Sequence, residues 1–121
     1  MLCKECNQGE YTQEECGKYE EMGYERLEKA INMIGGKWKL RILYFVAWHE
    51  VIRYNELWRA LGSVTHNMLS RQLKEMEKDG LLLRKEYPQV PPKVEYSLSQ
   101  KGWDLLPVVD VLCDWIRAYI D

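Results

Sequence analysis

The stretch 65–79, THNMLSRQLKEMEKD, closed by Gly80, leaves the chain few ways to fold. Spaced on a helix of 3.6 residues per turn, Leu69, Leu73 and Met76 fall on one narrow stripe, while Asn67, Ser70, Arg71, Lys74 and Lys78 gather on the opposite side. The Thr65 hydroxyl is placed to accept a backbone N–H two or three residues on, and Gly80 supplies the left-handed residue that ends a helix. Met68 stands where a full capping box would have Glu or Gln, so the start signal is half complete. Many surface helices carry such a stripe. This one differs in mixing cations with short hydrogen-bonding side chains in its N-terminal half, where a helix-turn-helix reads base edges.

The surrounding segments supply what such a helix needs. Leu27, Ala30, Ile31 and Ile34 recur at helical spacing, predicting a first helix over 24–34 that ends at Gly35-Gly36. Residues 37–48 read as a second helix whose apolar members wrap most of its circumference, as in a central core helix. The short β-branched run 51–53 precedes a third helix, 54–61, with Leu57, Trp58 and Leu61 inward. Gly62-Ser63-Val64 is then the turn between two helices of a helix-turn-helix.

After Gly80 the pattern becomes extended over 81–87 and 93–98, on either side of PQVPP. Prolines cannot donate to a ladder and belong at the tip, so this is a β-hairpin, or wing, with Lys85, Gln89 and Lys93 available to phosphate. Ser99 can cap a last helix reaching about residue 120, in which Pro107 forces a kink or marks a late start. Its stripe of Leu105, Val108, Val109, Leu112, Trp115, Ile116 and Tyr119 is longer than one small domain can cover, which argues for a partner helix from a second copy. The fold class expected is mainly α with a small β-hairpin: a winged helix-turn-helix.

A net charge of −2 would argue against nucleic acid if it were evenly spread. It is not. Residues 1–36 carry four basic and eight acidic groups, residues 37–101 twelve and seven, and residues 102–121 one and four. Phosphates respond to the field within about 8–10 Å, so a basic centre can bind DNA inside an acidic protein. The polar, acidic start MLCKECNQGE lacks the basic-then-apolar order of a secretory signal, and no apolar run reaches the roughly 20 residues of a membrane span. A soluble, cytoplasmic protein is expected.

Several motifs together carry a family resemblance: IGGKWK (34–39), RYNEL (53–57), Met68-Leu69, Gln72-Leu73, EKDGL (77–81), YPQVPPKVEYSL (87–98), and Leu105-Leu106-Pro107 with Trp115. Over residues 24 to about 120 the chain resembles the HxlR-type, MarR-like winged helix-turn-helix transcriptional regulators. The resemblance implies homodimers held by the first and last helices, with Leu27, Ile31, Leu105, Val109, Leu112, Trp115, Ile116 and Tyr119 at the interface. It implies a recognition helix in the major groove, wings on flanking DNA, and binding that answers to a small molecule, an electrophile or an oxidant. Several members sense through a cysteine ten residues before the first Gly of GGKW. That position is Glu25 here, which has no thiol chemistry.

For DNA contact the candidates are Asn67, Ser70, Arg71 and Lys74 at the groove, His66 on the helix flank, and Lys78, Lys93 and Lys39 at phosphates. Such a dimer would bind a pseudo-palindromic operator and act as a repressor or an activator. Residues 1–19 read as a mobile arm, with the winged domain over 20–121. The arm's Cys3-Lys-Glu-Cys6 and Cys16 could sense oxidants, hold a metal or do neither; zinc needs four ligands and the arm offers no obvious fourth. The rival reading is a small thiol-redox or zinc-binding protein using this CxxC, with the winged helix serving protein contacts. No βαβ pattern surrounds the pair, which counts against it. Trp38, Trp48, Trp58, Trp103 and Trp115 could line a pocket for an aromatic effector, although such residues more often pack. No Walker loop, nucleotide fingerprint or metallohydrolase motif is present, so neither enzyme activity nor a cofactor is expected.

Overall fold

Helix signals in the sequence reappear with their atoms in place in a computed structural model that describes residues 23–120. The expected arm, with Cys3, Cys6 and Cys16, lies outside the described residues. The chain divides into two units, Met1–Gly35 and Gly36–Asp121. In the first, helix α1 (Tyr24–Ile34) has Glu25 in its first turn, at the positive end of the helix dipole, and buries none of its residues. It ends where the glycine pair predicts, with the Gly35 N–H bonded to the Ile31 carbonyl.

The second unit runs α2 (Lys39–His49), β1 (Val51–Arg53), α3 (Tyr54–Leu61), α4 (His66–Lys78), β2 (Leu82–Tyr87), β3 (Lys93–Leu98) and α5 (Gln100–Tyr119). The strands form one antiparallel sheet in the order β1-β3-β2, so the wing hairpin gains a third strand from the segment before α3. The register aligns Ile52 with Tyr96 and Tyr96 with Arg84 across the sheet. Ile42, Leu43, Val46, Ile52, Leu57, Leu69, Leu73, Met76 and Leu82 are the fully buried side chains, joining α2, α3, α4 and the sheet in one core.

α2 departs from its expected all-round burial. Trp48 is 85% exposed and Tyr44 40%, because α3, β1 and β3 cover only one side of it. It also begins at Lys39, with Trp38 as the preceding cap residue.

α4 keeps both of its local signals. Thr65 Oγ1 accepts the Met68 N–H at 3.1 Å, capping the start. At the end, Gly80 adopts φ 81°, its N–H bonds to the Glu77 carbonyl, and the Leu81 N–H reaches the Met76 carbonyl. That is a Schellman closure, completed by burial of both Leu81 and Met76.

α5 is fastened to this closure. Ser99 caps the helix by accepting the Gly102 N–H at 3.1 Å, while its own hydroxyl donates to the Gly80 carbonyl. A Cβ at position 102 would stand 2.5 Å from the Leu81 carbonyl oxygen, so only glycine fits this approach. The helix continues through Pro107, which therefore marks no late start.

One interface assignment on α5 is corrected. Val109 is 3% exposed and packs in the core of its own unit, with Leu105, Leu106 and Cys113 against the same cluster. Two apolar rows run along this helix, and Val109 lies on the one facing inward. The other row, with Val108, Val111, Leu112, Trp115, Ile116 and Tyr119, stays exposed. Among the described residues no helix is long and apolar enough to cross a membrane.

Candidate nucleic-acid interface

The outer face of α4 presents four of the five polar side chains placed there by its pattern: Asn67, Arg71, Lys74 and Lys78 are exposed, Ser70 is half-buried, and Leu69, Leu73 and Met76 are buried. The two Arg71 terminal nitrogens are not both in water: Nη2 donates to the Met68 sulfur at 3.4 Å, and Gln72 Nε2 lies 3.6 Å from the same sulfur. Met68, a poor capping-box residue, thus acts as a soft rest for the guanidinium.

His66 and Ser70 are held by α3. The Tyr54 hydroxyl lies 3.0 Å from His66 Nδ1 and 3.4 Å from Ser70 Oγ. Trp58 stacks on the His66 ring at 4.3 Å between centroids and 13° between planes, while its indole N–H donates to the Val64 carbonyl at 3.0 Å. The turn and the first residue of α4 are therefore fixed to one side of α3. His66, the first residue of α4, is exposed and bonded to Tyr54 through Nδ1.

Lys39 leaves the set of phosphate candidates. It is 8% exposed, and its Nζ lies 3.0 Å from Glu75 Oε2. The ammonium is drawn inward because the carboxylate of α4 replaces the water it loses on burial. Lys37 and Arg41 instead lie over the Trp38 ring, at 5.0 and 5.4 Å from its centroid.

On the wing, Lys85 and Lys93 flank the Tyr87 ring at 4.9 and 4.8 Å, and Lys93 Nζ is 3.3 Å from Glu95 Oε1. The Tyr87 hydroxyl first, then Lys93, holds the Glu95 carboxyl below its usual range. Lys93 is half-buried by these contacts, with 31% of its side chain accessible.

Between α4 and the wing lies an open cleft of ≈ 600 Å³. It brings Ser70 and Lys74 together with Arg53, Asn55 and Arg84, three residues that the sequence reading did not single out. The sequence held one signal for Arg84: it stands two residues beyond the buried Leu82 on a strand whose inward face is set by alternation. No tryptophan lines the cleft, and the five indoles do not form one pocket. Trp38 is in the core, Trp58 rests on His66, and Trp48, Trp103 and Trp115 are exposed.

Cys113 is half-buried, 3.4 Å from the Tyr44 hydroxyl. That contact, followed by burial and Asp110, pushes the Tyr44 phenol up to about 12. Among the described residues no group of His, Cys, Asp or Glu is arranged to hold a metal.

Comparison with known proteins agrees with this geometry. The family model described as HxlR-like helix-turn-helix matches residues 33–121. An uncharacterised HTH-type transcriptional regulator of Halalkalibacterium halodurans is 56% identical over 85 residues, covering 70% of this chain and 75% of that protein. The uncharacterised HTH-type regulator YdzF of Bacillus subtilis is 51% identical over 91 residues, 75% of this chain and 84% of its own length. Among solved structures, the redox regulator HypR in its reduced form superposes with a TM-score of 0.72 at 42% identity, covering 78% of this chain and 95% of that one. The reduced transcriptional regulator YodB of B. subtilis gives 0.73 at 26% identity, covering 83% and 96%. The chain belongs to the HxlR-like helix-turn-helix family and is a winged helix-turn-helix transcriptional regulator, not an enzyme.

Proposed function

We propose that the protein binds a pseudo-palindromic DNA operator as a homodimer, through α4 in the major groove and the wing on flanking DNA. The observation that carries this reading is the division of α4: three apolar residues lock it to the core, while Asn67, Arg71, Lys74 and Lys78 project outward. Asn67 and Arg71 have the donor geometry for adenine and guanine edges, with His66 and Ser70 on the flank held by Tyr54. Lys78 and Lys93 are assigned to phosphate, where they add affinity without sequence preference.

The exposed row of α5 supports the dimer. Val108, Val111, Leu112, Trp115, Ile116 and Tyr119 leave a continuous apolar strip, and exposed strips of this kind usually mark an interface. Leu27 and Ile31 of α1 are also proposed as contacts with the second copy, Ile31 being 53% exposed. Two-fold symmetry then sets the half-sites about one DNA turn apart or slightly more.

A response to oxidants or electrophiles is proposed through Cys3, Cys6 and Cys16, since HypR is named a redox regulator; Glu25, which stands where the resemblance places a sensing cysteine, has no thiol chemistry and takes no part in it. Sequencing the genomic fragments that the protein retains, with and without peroxide, tests both parts. A shared two-fold symmetric motif, lost on oxidation and kept in the Cys3→Ser/Cys6→Ser/Cys16→Ser variant, is the expected result. Fragments sharing no motif contradict the operator reading, and loss of DNA from the triple variant contradicts the thiol reading.

A further inference from the structure

The cleft between α4 and the wing has a composition that base reading does not require. Its walls carry three cations, Arg53, Lys74 and Arg84, against one acid, Glu77. Lys74 has no ion-pair or hydrogen-bond partner among the described residues, and its side chain is exposed. Arg84 is the opposite case, a cation whose position is fixed. Cross-strand register sets it directly opposite Tyr96, on the sheet face turned to α4, and its Nη1 lies 3.4 Å from Glu86 Oε2. The Tyr96 hydroxyl is also the largest influence holding the Arg84 guanidinium in its charged form. Yet 38% of the Arg84 side chain remains accessible, so its anchors do not consume it.

A flexible ammonium on the helix side and a braced guanidinium on the sheet side thus face one solvent-filled space. The Tyr54 hydroxyl, the Asn55 amide and the Ser70 hydroxyl add neutral polar groups to its lining. A phosphodiester suits this set, because it is a monoanion with two free oxygens: one can take the planar fork of an arginine and the other a lysine point charge.

We propose that this cleft seats one backbone phosphate of each half-site, held by Arg84 from the wing and Lys74 from α4, so that one DNA strand passes between helix and wing. The inference rests on the operator-binding reading and assigns to it a contact that fixes the register of the helix against the wing. Arg84 acts as a preorganised anchor, since little side-chain freedom remains to be lost when the strand arrives. Glu77, on the same wall, disfavours a second phosphate and limits the seat to one.

The test uses fluorescence anisotropy with the full chain and a labelled duplex that the protein selects from a random pool, scanned with single uncharged methylphosphonate linkages. In the wild type, one linkage per half-site should weaken binding about tenfold. Arg84→Gln should weaken binding about tenfold on selected and scrambled duplexes alike, lower the salt slope by about one per protomer, and make that linkage silent. Arg84→Lys should restore the slope. Lys74→Gln, on an exposed helix face, reports on the same linkage independently of any folding defect at Arg84. If folded Arg84→Gln and Lys74→Gln both keep the wild-type slope and linkage pattern, the seat is overturned while the operator reading stands. If the wild type has no salt-sensitive DNA affinity, both fall together.

Discussion

The Tyr54 hydroxyl lies 3.0 Å from Nδ1 of His66, so the first residue of α3 is bonded to the first residue of α4. With Trp58 stacked on the imidazole at 4.3 Å between centroids, the first residue of α4 is held by two residues of the preceding helix.

Tyr54→Phe removes this bond together with the longer contact to Ser70 Oγ at 3.4 Å. It should lower the unfolding free energy by about 1 kcal/mol in urea titrations, the net worth of one such hydrogen bond. Preference for the operator should fall as well, because the His66 and Ser70 side chains lose the group that orients them. An unchanged preference would mean that the bond serves stability alone.

Lys39 and Glu75 tie α2 to the middle of α4 at 3.0 Å. Lys39 is 8% exposed, whereas the Glu75 side chain is 47% exposed, so the pair is only partly screened by water. Glu75→Ala should destabilise by about 1–2 kcal/mol, below the 3–5 kcal/mol of a fully buried pair, read as a lower thermal midpoint. Glu75→Gln, which keeps a hydrogen-bond acceptor, should lose less.

On α5 two neighbouring valines should behave differently. Val109→Ala, at 3% exposure, should cost about 2 kcal/mol of stability. Val108, at 59%, lies on the strip assigned to the partner, together with Trp115 at 55%. Trp115→Glu should yield monomers in size-exclusion chromatography with light scattering while the fold persists. A wild type that is itself monomeric at tens of micromolar would remove the dimer.

Glu95 gives the wing a pH dependence. Its carboxyl is held below the usual range by Tyr87 and Lys93, so the unfolded chain binds this proton more readily than the folded one. The stability it contributes is present above the ordinary carboxylate range and is lost as pH falls through the lowered value. Thermal midpoints of wild type and Glu95→Gln should therefore differ at neutral pH and converge in acid.

Local signals survive translation into structure because they need only neighbours in sequence. Thr65, Gly80 and Ser99 cap or close helices through bonds spanning a few residues, and α3 occupies the residues its pattern predicts. Long-range pairings leave no such trace. Nothing local distinguishes Lys39, which turns inward to Glu75, from Lys37 two residues earlier. Val108 and Val109 are both apolar, and only the packing of α5 on its own core decides which is covered. Arg84 becomes part of a cleft through its cross-strand register with Tyr96, which requires knowing that β1, β3 and β2 form one sheet.

The outward face of α4 is tested most directly by titrating wild type and Arg71→Ala against a selected duplex and a scrambled one at two salt concentrations. Wild type should prefer the selected duplex, and both affinities should drop steeply with salt. Arg71→Ala should narrow that preference by about 1–3 kcal/mol while binding to the scrambled duplex changes far less. Equal wild-type affinity for the two duplexes at both salt concentrations would contradict sequence reading by this helix.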